Sequence, residues 1–186
     1  MFFNLSNISE IDFTNFDASK TTTMKSMFQG CKGLKNIIFG NINTSSVKDM
    51  SELFRYCAII TSIDVSKFDT SLVTDMQLMF SSCYGLLSAN VSMFNTSNVK
   101  NMFDLFAYCY NITSIDLSGF DTSNVENMQG IFYHNYELKY VNFKNANGKS
   151  TTNFQSVFTS CSNLLCLNLY SNLVSSHSAT YSLFSI

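Results

Sequence analysis

Ile112-Thr-Ser-Ile-Asp-Leu-Ser-Gly-Phe-Asp-Thr-Ser-Asn-Val-Glu-Asn-Met-Gln-Gly-Ile-Phe132 is the best copy of a unit that fills the chain. Its closing Phe returns every 26 residues, at Phe28, Phe54, Phe80, Phe106, Phe132, Phe158 and Phe184, without insertion or deletion. A fixed period of this size means one supersecondary unit stacked on copies of itself, because a unit so small cannot bury its apolar face alone. Four residues before each of the first six Phe stands Met24, Met50, Met76, Met102, Met128 or Phe154, and three after it Cys31, Cys57, Cys83, Cys109, Asn135 or Cys161.

Two periodicities alternate inside the unit. Ser62-Ile63-Asp64-Val65-Ser66 alternates polar and apolar, as a short half-buried strand does. Val73, Met76, Met79, Phe80 and Cys83 lie at offsets that form one stripe of a helix. Between them, Phe68-Asp69-Thr70-Ser71 offers side-chain oxygens for a helix start, and Ser123 stands three residues before Glu126, the spacing of a capping box. The expectation is an α/β solenoid, leucine-rich-repeat-like, of about seven turns with one strand and one short helix each. It forms a single unit over 1–186, with repeats at about 8–33, 34–59, 60–85, 86–111, 112–137, 138–163 and a truncated 164–186.

The pattern Leu-x-x-Ile-Asp-Leu-Ser-x-Phe-Asp-Thr-Ser-x-Val-x-x-Met-x-x-Met-Phe-x-x-Cys resembles the BspA-like leucine-rich repeats over about residues 8 to 186. The resemblance implies a leucine-rich-repeat-like solenoid, associated with adhesion and protein binding at a microbial cell surface. Asn135 in the Cys column, the polar entry Lys20 to Thr23, and Ala146 to Lys149 in place of Phe-Asp-Thr-Ser depart from the pattern.

Charge narrows the partners. The formal net charge is −2, and the 11 basic residues, Arg55 the one arginine among them, form no run. A nucleic-acid site needs a basic face, so none is expected. No apolar window is long enough to span a bilayer, and Met-Phe-Phe-Asn-Leu-Ser lacks the basic leader and apolar run of a signal peptide; no anchor is read in the chain. Five of the six cysteines share one inward column, which reads as buried thiols rather than a disulfide framework or a metal site. His134 and His177 stand in no nucleophile or base motif, so neither catalysis nor a cofactor is expected.

Two surfaces remain. The outward strand face carries Asp64, Asn90, Asp116 and Asn142 in one row, with Tyr140, Lys144 and Tyr170 breaking the monotony at the C-terminal end. It reads as a solvated sheet face or as a recognition surface for a protein or glycan. Tyr84, Tyr110 and Tyr136 occupy one column in three consecutive turns, either an aromatic ladder covering the core edge or a contact surface. Open ends of such a stack also admit end-to-end self-association or a spacer role.

Overall fold

The computed structural model describes residues 1–147 and 149–169. Seven short parallel strands follow one another, β1 (Glu10–Asp12), β2 (Asn36–Ile38), β3 (Ser62–Asp64), β4 (Ser88–Asn90), β5 (Ser114–Asp116), β6 (Tyr140–Phe143) and β7 (Cys166–Leu169). They pair as β1-β2, β3-β4 and β5-β6-β7, always one repeat apart, as Glu10 with Asn36 and Ser62 with Ser88. A continuous line of parallel bridges, Thr23 to Asp49, Asp75, Asn101, Asn127 and Asn153, ties every turn to the next on another side.

The expected helices do not form. Among the described residues there is no helix, and the molecule is a β-solenoid of about six turns rather than an α/β leucine-rich-repeat stack. Hydrogen bonding gives the reason. In residues 24 to 31, Met24, Ser26, Phe28 and Gly30 donate their N–H groups to Asp49, Ser51, Leu53 and Arg55 carbonyls of the next turn, at 2.8 to 2.9 Å. The residues between them bond back three positions, as Met27 to Met24 (3.1 Å) and Cys31 to Phe28 (3.1 Å). An α-helix requires bonds to the fourth preceding carbonyl and leaves no alternate donors for a neighbour. Left-handed residues complete the turns: φ is 52° at Ser26 and 75° at Gly30, the third positions of consecutive tight turns. Such a run sends Met24, Met27, Phe28 and Cys31 inward, at the same offsets a helix would use.

The helix-start residues take other roles. Asp69 accepts the Ser71 N–H at 2.9 Å, closing a corner, while Thr70 is buried and its hydroxyl donates to the Asn95 carbonyl of the next turn at 2.9 Å. Thr44, Thr96 and Thr122 repeat that staple. Ser123 bonds Asp121, and Glu126 faces Lys100 of the preceding turn at 3.8 Å, so no capping box exists.

Stacked columns fill the interior. Phe28, Phe54, Phe80, Phe106, Phe132 and Phe158 stack ring on ring, with neighbouring centroids 4.9 to 6.2 Å apart. Stacked pairs add about 0.5 to 1.5 kcal/mol each beyond burial. Phe2 extends the column, 5.8 Å from Phe28, and Asn4 takes the left-handed conformation that Gly30 has one turn on. The register therefore reaches back to residue 2. Each thiol of the Cys column donates to a Phe carbonyl of the preceding turn, as Cys83 to Phe54 at 3.2 Å. Burial pushes these thiols up, Cys109 to about 12, so they stay protonated and unreactive. Phe184 lies outside the described residues.

Candidate functional site

The residues singled out from sequence fall on two separate surfaces. On the strand face, Asp64 and Asn90 sit on β3 and β4, while Asp116, Tyr140 and Asn142 line a shallow depression of about 340 Å³ on β5 to β7, together with Cys166 and Asn168. Tyr140 is 52% exposed and Lys144 is also exposed. Tyr170 lies outside the described residues.

Most polar capacity on this face is already engaged. Asp64 accepts the Ser66 N–H at 3.0 Å and the Asn90 amide at 3.4 Å; Asp116 accepts the Ser118 N–H at 2.8 Å. These backbone bonds hold both carboxyls below the ordinary range. Asn168 donates to Asn142 at 3.1 Å. An aspartate at a tight corner is there because its side chain satisfies the N–H two residues on, and the same device recurs at Asp12, Asp17, Asp69 and Asp121.

The second surface runs along the edge built by the left-handed turns. Tyr84 stacks on Tyr110 at 5.0 Å, and Tyr110 meets Tyr136 at 5.3 Å. Tyr108 joins them, edge-on to Tyr110 (6.3 Å) and to Tyr133 (5.4 Å) and stacked on His134 (5.3 Å). His134 Nδ1 and the Tyr136 hydroxyl lie 2.8 Å apart. Tyr84, Tyr108, Tyr110, Tyr133 and His134 are half-buried and Tyr136 is 41% exposed, so one continuous aromatic sheet is partly open to solvent. Burial first, and then the neighbouring phenols, push the Tyr108 and Tyr110 hydroxyls up, which keeps them neutral donors.

Beside this sheet a groove of about 440 Å³ crosses three turns, lined by Arg55, Tyr56, Leu78, Asp104, Tyr108 and two members of the tyrosine column, Tyr84 and Tyr110. Arg55 donates to Glu52 at 2.7 Å and lies over the Tyr56 ring, 5.0 Å from its centroid, while its Nε is buried without a partner. Reading the Tyr84 column alone misses this groove; the signal is in two neighbouring columns, where Tyr56, Ser82 and Tyr108 alternate large and small, and Glu52, Leu78 and Asp104 alternate charged and apolar.

The sequence model of one family, described as "Mycoplasma protein of unknown function, DUF285", matches residues 1–88 and, overlapping, 60–168. The chain belongs to this family. The first DUF285 match includes the stretch that holds Phe2 and Asn4. No curated protein and no solved structure matches the chain. Among the described residues, no helix is long and apolar enough to cross a membrane.

Proposed function

We propose that this DUF285 solenoid is a noncatalytic interaction module that binds a protein partner through its aromatic edge, as an adhesion or recognition segment at a microbial cell surface. The observation that carries the reading is the continuous tyrosine and histidine sheet from Tyr84 to Tyr136, partly exposed and flanked by a groove. Tyrosine gives large, rigid contact area with a polar tip and is enriched where proteins meet. The strand face supports recognition less well, because its carboxylates and amides already bond within the chain. The surface location rests on the resemblance to the BspA-like repeats.

Immobilised protein incubated with host cell-surface extract tests the reading. Capture of a partner should survive Tyr140→Ser on the strand face and fall with Tyr110→Ser or Tyr136→Ser. Capture that depends on Tyr140 and ignores Tyr110 moves the contact to the strands. A second reading, self-association, is supported by the exposed Met1, Phe3 and Leu5 beside the first turn. Sedimentation that changes with protein concentration would favour it.

A further inference from the structure

Two turns of this solenoid carry the same device, and one copy is incomplete. In the lower copy Glu52, Arg55 and Tyr56 act together: the carboxylate accepts from the guanidinium at 2.7 Å, and the guanidinium lies over the ring. Fifty-two residues on, Asp104 stands for Glu52 and Tyr108 for Tyr56, but Ala107 stands for Arg55. Both carboxylate-bearing residues adopt the left-handed conformation, φ 57° at Glu52 and 50° at Asp104, as do both tyrosines, at 61° and 60°. The repeat has reproduced an acid and an aromatic ring and left out the cation.

Ala107 itself is buried, and the open space lies one turn below it. In the intervening turn Leu78, Ser81 and Ser82 replace the triad with small or apolar groups, and the groove lies there between Tyr56 and Tyr108. Above Asp104 the column continues with Gly130, whose missing side chain leaves the space that the Asp104 carboxylate itself occupies. The Asp104 carbonyl accepts the Ala107 N–H at 3.1 Å, but its carboxylate accepts no hydrogen bond and makes no ion pair among the described residues. Glu52 pairs with Arg55, so among the described residues lining the groove Asp104 is the charged group without an ion pair, with Arg55 acting on it only from a distance. A half-buried carboxylate without a partner is unfavourable to keep, and burial pushes its carboxyl up to about 6, tempered by the Arg55 charge.

We infer that the groove receives an arginine side chain of a partner protein, its guanidinium paired with Asp104 against Tyr108. The assignment rests on the reading of the aromatic edge as the contact surface. A guanidinium meets both demands at once, since it pairs with a carboxylate through a planar fork and lies flat on an aromatic ring; an ammonium offers neither the fork nor the plane. The chain itself uses that chemistry two turns below. A residue within a partner chain is favoured over the free amino acid because the groove runs on into the Tyr84, Tyr110 and Tyr136 sheet, which gives flanking residues a surface to cover.

Amide chemical-shift titration of the whole chain with acetyl-Gly-Arg-Gly-amide tests the inference. The expected result is saturable shifts at Leu78, Ser82, Asp104 and Tyr108, with affinity reduced about tenfold or more by Asp104→Asn. The matched citrulline peptide should not bind, and the lysine peptide and free arginine should bind more weakly. Equal binding of the citrulline or lysine peptide, an unchanged affinity in Asp104→Asn, free arginine as tight as the peptide, or no shifts at these residues would each overturn it. Absent peptide binding with Tyr110-dependent capture intact removes the arginine occupant alone. Peptide binding with capture indifferent to Tyr110 removes the aromatic-edge reading instead.

Discussion

The strand face and the aromatic edge are built from the same 26-residue repeat, yet they use their polar groups in opposite ways. On the strand face the corner column is Asp or Asn in every turn but that of Ile38, and its carboxylates and amides bond their own corner or the turn beside it, as Asp64 does with Ser66 and Asn90. Along the edge the columns vary from turn to turn, and Asp104 and the Arg55 Nε keep unused bonding capacity. In a stack, regularity marks the groups that hold turns together. Unpaired groups in irregular columns mark where the chain has something left to offer a partner.

Both surfaces hang on the Phe column, so the largest effect should come from breaking it. Phe80→Ala is expected to lose about 3 to 5 kcal/mol in urea unfolding and to weaken any function of either surface together. A variant that unfolds the edge and spares the strand face would show that the two surfaces are independent units. A smaller change sharpens the comparison. Asn135 is fully buried in the Cys column, accepts the Cys109 N–H at 2.9 Å, and has its Nδ2 unpartnered. Asn135→Cys removes the unpartnered amide and restores a donor to the preceding turn but takes away the acceptor of the Cys109 N–H, so the net change in stability should stay within about 1 kcal/mol, with peptide shifts at Asp104 unchanged.

The pH dependence of the strand-face carboxylates and of Asp104 should run in opposite directions. Ser66 and Ser118 hold the Asp64 and Asp116 carboxyls below the ordinary 3.8. Their contribution is therefore complete above the ordinary carboxylate range and is lost as pH falls through the lowered folded values. Asp104 is raised from 3.8 to about 6, so the folded state binds its proton more tightly than the unfolded state does. Its penalty is complete at pH 7.5, shrinks as pH falls through 6, and vanishes below about 3.8. Melting of Asp104→Asn and wild type across this range should show a gap that closes on acidification. A gap that widens would mean the carboxylate has a partner in the folded chain.

Much of this architecture was legible in the sequence, and the part that was not has a physical cause. The Phe register, the strand positions and the inward thiols follow from period and alternation alone. The helix did not follow, because Val73, Met76, Met79, Phe80 and Cys83 point inward equally well from a helix or from consecutive tight turns. Only backbone sign separates the two, and the left-handed positions are held by Leu78 and Ser82 here and by glycine only at Gly30 and Gly130. The groove needs columns compared two turns apart, Glu52 with Asp104 and Arg55 with Ala107, whereas the tyrosine column shows itself in adjacent turns.

The central distinction, between a carboxylate used by the fold and one kept for a partner, is tested most directly by urea unfolding of Asp64→Ala and Asp104→Asn beside wild type at pH 7.5. The account predicts opposite signs: Asp64→Ala less stable by about 1 kcal/mol, Asp104→Asn more stable than wild type. Loss of stability in Asp104→Asn, or none in Asp64→Ala, would contradict it.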